Sequence, residues 1–217
     1  MQQLTYPNYD ILVVDNSKDE EYYKKEFLDE GITARHVPPT GNVIEYITAS
    51  QNVILDYFKE HNYDYMFMCE SDVLPPNNVI EYLMHYDKPV VTLPYAINYQ
   101  ESPSICWQMI EDTYAEKQTL LMDDLLTVGK WKGGLQEVFA CGIGCTLIHR
   151  DVFNYVTRFR ADANANEAKK TATVFSDTYF YKDLYEQNIP AYMCQEQGLA
   201  IHKWSDWNKN EEFNSIK

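Results

Sequence analysis

The stretch Met66–Leu74 reads MFMCESDVL and runs directly into Pro75 and Pro76. Its first half is an apolar run of strand character, and the two prolines end that strand in a turn. Side chains two apart on a strand point the same way, so Glu70 and Asp72 leave the strand end together, where backbone amides become free. Two carboxylates so placed can hold a hard divalent cation and a ribose hydroxyl at once. Mg²⁺ in particular takes only one or two protein carboxylates and fills its other positions with substrate phosphates and water. Two ordinary solvated acids at a strand end would read the same way, so the surrounding chain has to decide.

Toward the N-terminus, Tyr9–Asp15 (YDILVVD) is almost continuously apolar and β-branched, which predicts a buried parallel strand that breaks at Asn16-Ser17. Lys18–Glu30 carries Tyr23, Phe27 and Leu28 at helical spacing and stops at Gly31, a C-cap. Ile32–Val37 predicts a second strand ended by Pro38-Pro39. A helix follows from about Glu45 to His61, with Ile47, Ile54 and Phe58 on one stripe and Val53 and Tyr57 beside it. Tyr65–Cys69 is then the central strand. The order β-α-β-α-β predicts an α/β fold with a mostly parallel sheet, right-handed crossovers and ligands at the carboxyl ends of its strands. Asp15 and the Glu70/Asp72 pair both lie at such ends.

Toward the C-terminus, the prolines open a helix over Asn77–Tyr86 that buries Val79, Ile80, Leu83 and Met84, and Pro89–Leu93 gives the next strand. From Pro94 to Gly134 the pattern weakens into a long, irregular excursion, and excursions of that size are usually functional. Val138–Arg150 (VFACGIGCTLIHR) restores a strand, interrupted by Gly142 and Gly144. Glycine there signals either close approach of a ligand or backbone, or a bulge or tight bend. Asp151–Arg160 predicts a short helix, Ala161–Thr173 a small, polar loop, and Ser176 the cap of a helix that starts at Asp177 and turns Phe180, Leu184 and Tyr185 inward. Ala191–Trp204 gives a strand, a break at Gly198 and an apolar run ending at His202; Ser205–Lys217 reads as a frayed tail.

The chain has 217 residues, enough for one domain with a substantial core. Its 33 acidic and 18 basic residues give a formal charge of −15, which argues against nucleic acid and anionic membranes as partners. A bound nucleotide would need a local metal. Five cysteines without framework spacing point to free thiols in a reducing compartment, and Cys141 and Cys145 lack the further ligands of a zinc site. No stretch reaches the roughly 18 apolar residues of a membrane helix, and no leader pattern opens the chain. A cytoplasmic location without a membrane span is the expectation.

Taken together, these motifs resemble the inverting GT-A glycosyltransferases of the family 2 type, which move a sugar from a nucleoside-diphosphate sugar to an acceptor hydroxyl. YPNYDILVVDNS (Tyr6–Ser17) is similar to that family's second strand and its D-D/N-S turn, and ESD (Glu70–Asp72) to its D-x-D motif with a conservative first position. GIGCTLIHRDVF (Gly142–Phe153) resembles the glycine segment before the acceptor helix, Ser176-Asp177 the E-D base motif, and His202 the late metal ligand. The resemblance implies a Rossmann-like mixed sheet over one domain of residues 1–217, with a nucleotide-sugar half (1–93) and an acceptor half (94–217).

It also implies roles. Asp72 and His202 would ligate the metal, Mn²⁺ or Mg²⁺, with the imidazole favouring Mn²⁺. Glu70 would hold the ribose, and Asp15 or Asn16 the nucleobase edge. Asp177 would be the general base on the acceptor hydroxyl, of a glycan or another compound; its place in a first helical turn tends to lower its pKa, so water exclusion would have to oppose that. Two departures stand out. The family's usual first strand and helix are missing, so either an N-terminal stretch is absent or another element or subunit, as in a homo-oligomer, covers the sheet edge. TASQN (Thr48–Asn52) has no Arg before its Asn, which leaves the nucleobase open. The alternative reading is a non-catalytic nucleotide- or sugar-binding module on this fold. A nucleotidyltransferase ranks below both, because no glycine-rich basic phosphate loop lies near the start.

Overall fold

A computed structural model describes residues 4–95, 134–161, 175–194, 196 and 200–202, together with the backbone of 104–107 and 125–127. The predicted excursion, the polar loop and the tail otherwise lie outside these residues. Among the described residues no helix is long and apolar enough to cross a membrane.

The chain begins with β1 (Val13–Asp15), shorter than the apolar run that encodes it, and a helix α1 (Glu20–Tyr23) that loosens into a π-turn over Lys24–Leu28. Asp19 caps α1 by accepting from the Glu21 and Tyr22 amides. β2 (Ala34–His36) pairs parallel with β1. The long helix α2 (Val43–His61) starts in a capping box, where Asn42 and Glu45 satisfy each other's backbone amides, and stops at Asn62 in the left-handed region. Its buried positions are Ser50, Gln51, Leu55 and Phe58, the last three spaced i, i+4, i+7, with Ile47 and Ile54 only partly covered. The stripe therefore centres about a residue away from the one predicted, because the sheet meets α2 along Leu55.

β3 (Tyr65–Cys69) matches its predicted span and leads through the carboxylate turn into β4 (Val73–Leu74). After α3 (Val79–Met84) come β5 (Val90–Thr92), then β6 (Ser104–Trp107) and β7 (Leu125–Thr127). The run across the glycines divides into β8 (Leu135–Val138), β9 (Ala140–Cys141) and β10 (Cys145–His149), followed by a 3₁₀ turn at Arg150–Asn154 where a short helix was expected. Helix α4 (Ser176–Glu186) begins at Ser176 itself. Phe175 precedes it and Ser176 is buried, so Ser176 does not cap the helix. β11 (Ala191–Cys194) and β12 (Ile201–His202) complete the described chain.

The fold is α/β, with a mixed five-stranded sheet in the order β3-β10-β5-β11-β8. β3, β5 and β11 run the same way, but β10 lies antiparallel between β3 and β5, and β8 lies antiparallel to β11. Adjacent strands are therefore mostly antiparallel rather than mostly parallel. The cause is β10, which returns from the glycine segment and takes the place beside β3 that a parallel neighbour would have filled. β3 is correspondingly an edge of the described sheet and not its centre, and β1–β2 forms a separate pair.

Alternation along the strands covers both faces of this sheet. Met66, Met68, Val90 and Ile148 face Leu55, Phe58, Phe153, Phe180 and Leu184, while Val91, Cys145 and Leu147 face Val79, Leu83 and Leu93. Between β3 and the segment before β1 lies a groove of about 520 Å³, lined by Ile11, Ile54, Phe58, Met66, Ile80 and Leu147 among others. Thr5 closes down beside it, donating from its amide to the Asn77 carbonyl (2.9 Å) and from its hydroxyl to Glu81 (2.8 Å).

Leu55 is fully buried where α2 meets the sheet. Leu55→Ala should therefore destabilise the chain by about 2–5 kcal/mol, read as a lower urea midpoint with an unchanged slope.

Candidate functional site

The turn after β3 is held by two short contacts. The Glu70 amide donates to the Gly144 carbonyl (3.0 Å), and the Val73 amide donates to the Glu70 carbonyl (3.1 Å). The first follows from the β3–β10 register, which sets Cys69 opposite Cys145 and so brings the glycine segment against the carboxylate turn. β12 then pairs antiparallel with β4, with His202 opposite Val73. That pairing places His202 Nε2 3.4 Å from Asp72 Oδ2, although 130 residues separate the two in sequence.

Glu70 does not point away from the protein. Although the residue is exposed on its turn, its carboxyl group lies against Tyr95, whose hydroxyl is 3.4 Å from Glu70 Oε2. Burial of that carboxyl group, followed by the like charges of Asp72 and Asp177, pushes Glu70 up to about 7. Asp72 is held below its ordinary value, chiefly by its hydrogen bond to His202. Asp177, in the first turn of α4, accepts from the Thr178 amide at 2.7 Å. That bond lowers its pKa, yet burial is the larger effect and raises it to about 6. The carboxylates of Asp72 and Asp177 both act on Glu70, so residues from the β3 turn, α4 and β12 form one electrostatic cluster.

The glycines of this segment are required for space. Neither Gly142 nor Gly144 is among the glycines with positive φ, so no turn geometry demands them. A Cβ on Gly142 would lie 2.2 Å from the Tyr95 hydroxyl, and one on Gly144 would lie 2.4 Å from Glu70 Oε2 and 2.8 Å from the same hydroxyl. The close approach is by the side chains of Tyr95 and Glu70 rather than by a ligand or a neighbouring backbone, and the chain also bends here between β9 and β10. Tyr95, absent from the candidates drawn from the sequence, is the residue they accommodate. The Gly-x-Gly spacing was its only trace.

Asp15 ends β1 in the separate strand pair, and Asn16 follows it. The Asp15 carboxylate is already engaged, accepting from the Ser17 hydroxyl (2.8 Å) and lying 2.8 Å from His36 Nδ1. Cys141 and Cys145 are buried in the core.

Among the described residues no group of three or more His, Cys, Asp or Glu side chains is gathered as a ready cation cage. Asp72 and His202 supply one carboxylate and one imidazole on a common side. Such a donor pair fits an ion whose other positions are taken by substrate oxygens and water.

No protein-family model matches the chain, and no curated protein does. Among solved structures it is similar to the crystal structure of A197 from STIV, with a TM-score of 0.43 and 16% identity over 84% of this chain and 78% of that chain. A likeness at that level carries no argument about function.

The raised pKa of Asp177 has a consequence for stability. Between its ordinary value of 3.8 and about 6, the folded chain keeps a proton that the unfolded chain has released, so Asp177 makes stability fall as pH rises through that window. Asp177→Asn removes this contribution. Urea unfolding in metal-free buffer should show the variant gaining on the parent between about pH 4 and about pH 7, with no further gain above that window.

Proposed function

We propose that this chain is a metal-dependent inverting glycosyltransferase of the GT-A type, taking a nucleoside-diphosphate sugar as donor and an acceptor hydroxyl as nucleophile. The observation that carries the reading is that His202 lies against Asp72 beside the glycine segment, while the charges of Asp72, Asp177 and His202, from three distant segments, all act on Glu70. Those are the positions, in the same order, on which the resemblance of the sequence rests.

In this reading Asp72 and His202 hold Mn²⁺ or Mg²⁺, which when bound supplies the positive charge that stabilises the departing diphosphate. Glu70, whose carboxyl group lies beside Tyr95, binds the donor's ribose. Asp177 accepts the proton of the acceptor hydroxyl as it attacks the anomeric carbon from the side opposite the leaving group, which inverts that centre. A pKa of about 6 suits a general base, since the group is ionised at neutral pH yet more basic than an ordinary aspartate. Asp15 or Asn16 would meet the nucleobase from the end of β1.

Two variants test this. Asp72→Ala removes half of the proposed metal pair, so calorimetry should show Mn²⁺-dependent binding of nucleoside diphosphates lost while the circular dichroism is unchanged. Unaltered affinity would overturn the metal assignment. Asp177→Asn leaves that pair in place and removes the base. It should bind nucleotide and metal about as well as the parent, yet transfer sugar at least roughly a hundredfold more slowly, at the low end of general-base assistance. Parental turnover in this variant would remove Asp177 from the mechanism. A parent that binds donors but neither transfers nor hydrolyses any of a broad panel would instead be a nucleotide- or sugar-binding module.

A further inference from the structure

We propose that Tyr95 is the positioning residue of this cluster: one side chain that holds the Glu70 carboxylate and the His202 ring in their working places. This role rests on reading the cluster as a nucleotide-sugar and metal site, but the contacts that define it do not. The Tyr95 hydroxyl accepts from the Gly144 amide at 3.1 Å and turns its own hydrogen toward Glu70 Oε2 at 3.4 Å. Its ring meets the His202 ring edge to face, with centroids 5.2 Å apart. Its backbone forms a parallel bridge with Ala200, next to β12, reinforced by the Ala200 amide donating to the Pro94 carbonyl at 2.9 Å.

These contacts tie together the three segments that make the site, namely the carboxylate turn, the glycine segment and the β12 strand. Tyr95 is 6% exposed, so its hydroxyl cannot exchange these partners for bulk water. The room it occupies exists only because Gly142 and Gly144 have no Cβ. Removing the hydroxyl should therefore free Glu70 without touching the metal pair directly, and filling the glycine gap should displace the whole ring.

Tyr95→Phe and Gly142→Ala test the role from opposite sides, with two kinds of readout. The first needs no ligand. Hydrogen exchange at the Gly144 amide should accelerate by roughly three- to tenfold in Tyr95→Phe, the worth of one hydrogen bond, while the amides of β5 and β10 keep their protection. A crystal structure of the variant should show the Glu70 carboxyl group moved from its place. The second readout is calorimetric binding of uridine, guanosine and thymidine diphosphates with MnCl₂. Affinity for whichever the parent binds should fall by roughly three- to tenfold in Tyr95→Phe and further in Gly142→Ala, where the ring is expelled. Tyr95→Phe with unchanged Gly144 exchange and an unmoved Glu70 would overturn the positioning role, whatever the nucleotides do. A parent that binds none of the diphosphates would refute the nucleotide-sugar reading instead, and the exchange data would still decide Tyr95. If Gly142→Ala does not fold, the Tyr95→Phe result decides the role by itself.

Discussion

The register of β10 against β3 is the constraint on which the site depends. Cys145 opposite Cys69 brings the Gly144 carbonyl to the Glu70 amide, and it also sets Thr146 opposite Met68 on one side and Thr92 on the other. Thr146 and Thr92 are buried, share a hydrogen bond of 2.8 Å, and reach the Tyr181 hydroxyl on α4 through a further bond of 3.1 Å from Thr92. Tyr181 lies one helical turn beyond Asp177. A slip of one residue would turn Thr146 to the opposite face and leave those hydroxyls unpaired in the core. The pairing that aligns the glycines with the carboxylate turn is thus the one that lets α4, which carries Asp177, settle on the sheet.

Crowding acids in one place of a chain with formal charge −15 costs free energy, and the structure spreads that cost unevenly. His202 draws Asp72 toward its ionised form, whereas Glu70 and Asp177 are driven toward their neutral forms by burial and, for Glu70, by their neighbours' charge. Carboxylates whose environments push them apart are suited to separate roles. One stays charged near neutral pH. The others hold protons more readily and respond to whatever enters.

Much of this was legible in the sequence because it was local. The β3 span, the acids at its end, the helix ending at His61 and the helix beginning near Asp177 follow from apolar period and from turn residues. What was not legible depended on partners far along the chain. Nothing in Tyr65–Cys69 states that β10 will lie antiparallel beside it, so the strand read as central when it is an edge. Leu55 was passed over because the stripe through Ile54 and Phe58 is equally periodic, and only the position of the sheet chooses between them. Tyr95 stood in a stretch without pattern, just after a strand, and its role depends on two glycines almost fifty residues later.

Asp177 shows why placement on a helix does not by itself set the chemistry of a side chain. A first-turn position and a bond from the Thr178 amide both favour the carboxylate. Had α4 been a surface helix, they would have left Asp177 a weaker base than an ordinary aspartate. Instead Ser176 and Thr178 on either side of it are buried, and Phe180, Tyr181 and Leu184 carry the helix into the core. Desolvation of the carboxyl group then outweighs the hydrogen bonds that favour its charged form. The basicity of this group is therefore a property of how α4 packs on the sheet. The apolar residues of that interface help to set the pH range in which Asp177 is able to take a proton.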